Sequence, residues 1–144
     1  MHVTSQTTVA APIETVWDKL CNHAGMSGWA PGITVTLDKP GTTDPNGVGA
    51  IRRIASPGPG QDVLEEVVTF QPPHVLGYKA VAGCPFPGYA GVVRLTPAGP
   101  GTHISYTVST TAGFPLVKAP LTVLCQLLLR LLARASTRQT DAWP

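Results

Sequence analysis

Charge is scarce in this sequence, and the scarcity removes several classes of function. Asp, Glu, Lys and Arg make up 12% of the 144 residues, about half the usual share of roughly 25%. The net charge is only +2, and Arg52 and Arg53 are the one adjacent basic pair. The basic stripe that a nucleic-acid partner requires is missing, so none is expected. Cysteine is equally sparse. Cys21, Cys84 and Cys125 are odd in number, far apart and without a CxxC, which argues against a disulfide framework and a zinc site. They read as small apolar residues in a reducing compartment. The four histidines (His2, His23, His74, His103) form no HxH or HExxH, so neither a metal nor another cofactor is expected.

Other signatures are missing too. There is no GxSxG elbow. Gly47-Val48-Gly49 leads into a strand rather than a helix, which is the wrong context for a phosphate loop. No charged n-region followed by an apolar run opens the chain, so no signal peptide is expected. The most apolar stretch, 121–133, is interrupted by Gln126 and Arg130. It is shorter than the roughly 20 residues of a membrane span. A cytoplasmic protein without stable membrane insertion is the expectation. Yet apolar residues still reach 43%. With so little charge, that leaves a weakly charged or polar-uncharged surface, or an internal apolar cavity.

What is present is organised as one domain over 1–144. Period-two alternation with turn signals between the runs predicts strands over 2–10, 33–37, 48–55, 62–71, 75–82, 89–96 and 102–110. Pro12 and Glu14 suit the first turn of a helix whose apolar face is Val16, Trp17 and Leu20. That helix should end near Asn22, followed by a short helical piece over 23–28 and a break at Trp29-Ala30-Pro31-Gly32. Loops are expected at 39–47, at Ser56-Pro57-Gly58-Pro59-Gly60, at Pro72-Pro73, over 83–88 and over 97–101.

The C-terminal segment changes period. From Pro120 onward, Leu121, Leu124, Cys125, Leu128, Leu131, Leu132 and Ala135 follow i, i+3, i+4, i+7 spacing, flanked by Val123, Leu127 and Leu129. Thr122, Gln126, Arg130, Arg134 and Arg138 form a polar ladder opposite. The result is an amphipathic helix of roughly 19 residues, about 28 Å long. The fold class is therefore α+β: a seven-stranded curved antiparallel sheet wrapped around a long C-terminal helix, with two short helices between the first two strands. A sheet curled around one helix leaves space of the kind that holds ligands.

Three segments resemble a known superfamily. They are Val9-Ala10-Ala11-Pro12-Ile13-Glu14-Thr15-Val16-Trp17 with the following Trp29-Ala30-Pro31-Gly32; Glu65-Glu66-Val67-Val68-Thr69-Phe70-Gln71-Pro72-Pro73 with Tyr78; and Gly83-Cys84-Pro85 with Tyr89-Ala90-Gly91, Gly101-Thr102 and Tyr106. In this order the chain resembles the START-like or SRPBCC group, the polyketide cyclase/dehydrase and lipid-transport family with the helix-grip fold. The resemblance implies a cavity for a hydrophobic ligand. It spans lipid carriers, hormone and flavonoid binders, aromatase/cyclases, hydrolase-like enzymes and proteins described as toxins. Many members carry Asp where Asn22 stands; Asn can cap a helix as well.

Alternation places Tyr89, Gly91, Val93 and Leu95 on one face, opposite Thr102, Ile104, Tyr106 and Val108, with His103 on the other side. Tyr78 shares a face with Leu76. Inward tyrosines offer an apolar wall with one polar handle, or simply fill the core. Glu65 and Glu66 point to opposite faces; Phe70 argues for Glu66 inside, whereas the family-like position is Glu65. A buried carboxylate needs a partner, and Arg52 on the preceding strand is the candidate, as a structural ion pair or a ligand-orienting group. The candidate cavity residues are Tyr78, Tyr89, Val93, Tyr106, Leu124, Leu128 and Leu131, with Arg52, Glu65 and Glu66 as its polar groups. Phe86, Phe114 and Leu116 on loops form a lid, touch a membrane transiently, or pack on the helix ends.

Three functions are compatible with these features. One is a carrier or sensor for a lipid or polyketide-like molecule. The second is an aromatase/cyclase or dehydratase in which Tyr78, Tyr106, Arg52 and a glutamate move protons. The third is a toxin-like or regulatory protein acting through a protein partner on the arginine ladder. A closed cavity of apolar groups and hydroxyls favours the carrier; Arg or Glu converging near a tyrosine favours chemistry.

Overall fold

The computed structural model describes residues 1–28, 32–56, 60–113 and 115–141, with side chains to residue 137. Trp29-Ala30-Pro31, Pro57-Gly58-Pro59, Phe114 and the side chain of Arg138, all of which figure in the expectations above, lie outside the described residues.

The chain runs β1 (His2–Val9), α1 (Ile13–Cys21), a 3-10 helix (Ala24–Gly28), β2 (Thr34–Lys39), β3 (Ile51–Ala55), β4 (Val63–Gln71), β5 (Val75–Ala82), β6 (Ala90–Ala98), β7 (Gly101–Ser109), a second 3-10 turn (Pro115–Val117) and α2 (Lys118–Asp141). The seven strands form one curved antiparallel sheet in the order β1-β7-β6-β5-β4-β3-β2. Only the β1–β7 pairing brings distant chain ends together; the rest is a meander. α2 lies against β1, β7 and α1. This is the helix-grip arrangement.

Local chemistry explains the elements. The first turn of α1 is closed by Thr15 and Val16 N–H donating to the Pro12 carbonyl, with Glu14 near the positive end of the helix dipole. The side chain of Asn22 accepts from the Gly25 N–H at 3.1 Å and so caps the first 3-10 helix. The segment Val48-Gly49-Ala50 does not join β3. Gly49 adopts φ +91°, which only glycine reaches without strain, and the turn is closed by Ala50 N–H on the Gly47 carbonyl. At the hairpin β6 and β7 extend beyond the anticipated ends, leaving a two-residue loop at Gly99-Pro100, while at their other ends each stops one residue short. α2 begins two residues before Pro120 and has 24 residues. The helical segment 115–137, longer than the apolar stretch 121–133, is long and apolar enough to cross a membrane by length and composition alone. The same composition also suits a core helix, and here Leu121, Cys125, Leu129, Leu132 and Ala135 are buried in the core.

The core joins the inner sheet face to α1 and α2. Trp17 packs on Phe70 with ring centroids 5.3 Å apart, and Leu76, Val93, Leu95, Ile104 and Val108 are buried with them. In β6 and β7 the buried residues are those the alternation selects. The buried face of α2 is rotated from expectation. Leu129 belongs to the core, whereas Val123 and Leu127 are more than half exposed.

Candidate functional site

A cavity of about 270 Å³ lies between the sheet and α2. Leu124 and Leu128 form its helix side. Ile54 and Val63 line it from β3 and β4, Met26 from the first 3-10 helix, Ile33 from just before β2, and Cys84, Pro85 and Phe86 from the β5–β6 loop. Its polar end is built by Arg52, Glu65, Tyr78, Tyr89 and Tyr106. A larger depression of about 450 Å³ runs along β1 and α2, but Thr4, Ser5, Gln6, Thr7, Gln126 and Arg130 make it mainly polar. The smaller cavity has the apolar wall with few convergent polar groups that characterises a ligand site.

Register builds the polar end. Arg52 and Glu65 are direct cross-strand partners on β3 and β4. Arg52 donates from Nε to Glu65 Oε1 at 2.8 Å, and its Nη2 lies 2.6 Å from the same oxygen. Both side chains are nearly inaccessible. The guanidinium lies over the Tyr78 ring, 4.7 Å from its centroid. Burial works against its charge, but the Glu65 carboxylate and the neighbouring tyrosine hydroxyls outweigh that, and the pKa rises. Nη1 meets His23 Nδ1 at 3.3 Å, and His23 Nε2 meets the Asn46 carbonyl at 2.9 Å. Only the neutral tautomer with hydrogen on Nε2 satisfies both contacts. Burial, then the adjacent Arg52, lowers the His23 pKa to about 4.

The three tyrosines of the chain meet here. Tyr78 Oη is 2.7 Å from Tyr106 Oη and 3.1 Å from Tyr89 Oη. Burial pushes all three hydroxyls up, Tyr106 to about 12. Gly91 lies directly against the Tyr78 ring, where a Cβ would collide with it. Burial raises the Cys84 thiol as well, so it stays protonated.

Seven of the ten anticipated cavity residues therefore border one cavity: Arg52, Glu65, Tyr78, Tyr89, Tyr106, Leu124 and Leu128. Three do not. Glu66 is half-buried on the opposite face of β4, in register with Lys79. The Phe70 argument for it failed because a bulge between Val67 and Thr69 changes the strand's parity, so that Glu65, Val67 and Phe70 all face inward. Val93 is fully buried but packs in the core. Leu131 lies about 120° around the helix from Cys125 at 100° per residue and is only half-buried. Ile54 and Val63 share parity with Arg52 and Glu65, a signal the sequence carried. His23 carried none, because its role depends on a contact 29 residues away. Phe86 lines the cavity and packs near Tyr89, whereas Leu116 is 89% exposed. Among the described residues, no group of His, Cys, Asp and Glu could hold a metal.

A family model described as polyketide cyclase / dehydrase and lipid transport matches residues 1–139. The chain belongs to this family. Members of the wider fold stand close in structure. A protein from Nitrosospira multiformis superimposes with a TM-score of 0.78 at 19% identity, covering 98% of this chain and 99% of that one. A Thermus thermophilus protein gives 0.76 at 18%, covering 96% and 99%. A START superfamily protein from Mycobacterium smegmatis gives 0.73 at 17%, covering 99% of each. At these identities the likeness is one of fold. No curated protein matches the chain. Family and fold agree with a hydrophobic-ligand-binding protein of the START and polyketide-cyclase type.

Proposed function

We propose that this family member binds a lipid or polyketide-like molecule in the cavity beneath α2, as a carrier or sensor. The carrying observation is the cavity itself: apolar on the helix and strand sides, with one polar end whose groups hold one another. The tyrosine hydroxyls are pushed away from the neutral range, and His23 sits behind Arg52, outside the cavity lining. Aminoanthracene, a small neutral fluorophore, tests the reading. Saturable binding at one site is expected, and Leu128→Trp should abolish it by filling the cavity while the chain keeps its far-UV dichroism. No saturable binding to the wild-type chain overturns the proposal.

The convergence of Arg52 and Glu65 on Tyr78 favours a second reading, a cyclase or dehydratase. Turnover of a poly-β-ketone thioester that disappears in Tyr106→Phe would establish it over the carrier.

A further inference from the structure

We infer that the cavity selects neutral ligands carrying a hydroxyl, and rejects carboxylates of the same shape. The inference rests on the cavity being the binding site. Its basis is a count of protons and lone pairs at the polar end. Arg52 is the only cationic side chain bordering the cavity among the described residues, and its charge is already cancelled by Glu65. Its Nε and Nη2 hold Glu65 Oε1, its Nη1 meets His23, and its face is covered by the Tyr78 ring. A ligand carboxylate would be desolvated beside an existing carboxylate with no uncancelled positive charge to receive it.

A hydroxyl meets the opposite situation. Glu65 Oε2 has no hydrogen-bond partner among the described residues, and every fully buried side-chain oxygen there has one, so Oε2 is the carboxylate oxygen that remains accessible. It can only accept. The tyrosine cluster supplies the complementary donor. Three tyrosine O–H groups share only two hydrogen bonds, whichever oxygen donates in each. One tyrosine O–H is therefore left available. The polar end thus offers an accessible carboxylate acceptor together with a tyrosine donor, a pair that an alcohol or phenol satisfies simultaneously. His23 holds the arrangement from behind, because its neutral Nδ1 accepts from Arg52 while its Nε2–H donates to Asn46.

Displacement of aminoanthracene by naphthalene, naphthol and naphthoate at neutral pH tests this. Naphthol is expected to bind about tenfold tighter than naphthalene and at least about tenfold tighter than naphthoate. In Glu65→Gln the carboxylate becomes an amide of similar shape, Arg52 is left uncancelled, and naphthoate should overtake naphthol. Naphthoate equal to or tighter than naphthol in the wild-type chain overturns the inference, as does naphthol no tighter than naphthalene. If aminoanthracene itself does not bind, the cavity reading fails and this one with it. If aminoanthracene binds and naphthol does not displace it, only the selectivity fails. Should Glu65→Gln not fold, the wild-type ranking alone decides.

Discussion

Arg52, Glu65 and His23 show how few residues set the character of the cavity. A buried ion pair is costly to break and cheap to replace as a whole. Glu65→Leu should therefore destabilise the chain by about 3–5 kcal/mol in urea unfolding, whereas Arg52→Met combined with Glu65→Leu should fall within about 1 kcal/mol of wild type or above it. His23 adds a pH dependence. Its pKa is about 4 in the folded chain against 6.5 as an ordinary histidine. Between these values the unfolded chain binds a proton that the folded chain does not, so stability falls as the pH drops from 6.5 toward 4. The loss approaches roughly 3 kcal/mol. His23→Gln should remove that part of the slope, read as the difference between urea midpoints at neutral pH and near pH 4.5. Gly91 acts by what it lacks. A methyl group there would push the Tyr78 ring out of the cluster, so Gly91→Ala should cost about 1–3 kcal/mol and weaken ligand binding together with it.

At the scale of elements, α2 divides its apolar residues between two tasks. Leu121, Cys125, Leu129 and Leu132 close the core, while Leu124 and Leu128 border the cavity. Leu132→Ala should cost about 2–5 kcal/mol by thermal or urea unfolding. Leu127→Ala, on the exposed side, should stay within about 0.5 kcal/mol. The periodicity made the helix legible, but its wide apolar face left the phase undetermined, and the flanking Leu129 proved to be core. The strands tell a similar story. Regular alternation identified the inward residues of β6 and β7, where pairing is uninterrupted. In β4 a single bulge defeated the same rule, because one extra residue reverses every side chain beyond it.

For the whole molecule, the curved sheet and α2 form a container whose occupancy should be measurable as stability. A ligand that binds only the folded chain, present at a hundred times its Kd, adds about 2.7 kcal/mol. For a chain of this size that corresponds to a rise in Tm of roughly 5–10 °C, measurable by scanning calorimetry or dye fluorescence. A series of alcohols and phenols should produce such rises and the matching carboxylates should not.

The sequence by itself determined the order of strands and helices, the antiparallel sheet, the long C-terminal helix and the family, because each depends on local periodicity, turn residues or short motifs within one stretch of chain. It also brought seven of the cavity residues forward as candidates, since strand parity and helix spacing decide which side of an element a residue occupies. Only the tertiary structure decided that Glu65 rather than Glu66 pairs with Arg52, that three tyrosines share two hydrogen bonds, and that His23 stands behind the guanidinium. Those facts depend on the register between strands, on one bulge and on contacts between residues far apart in the chain, and no pattern within a single element encodes them.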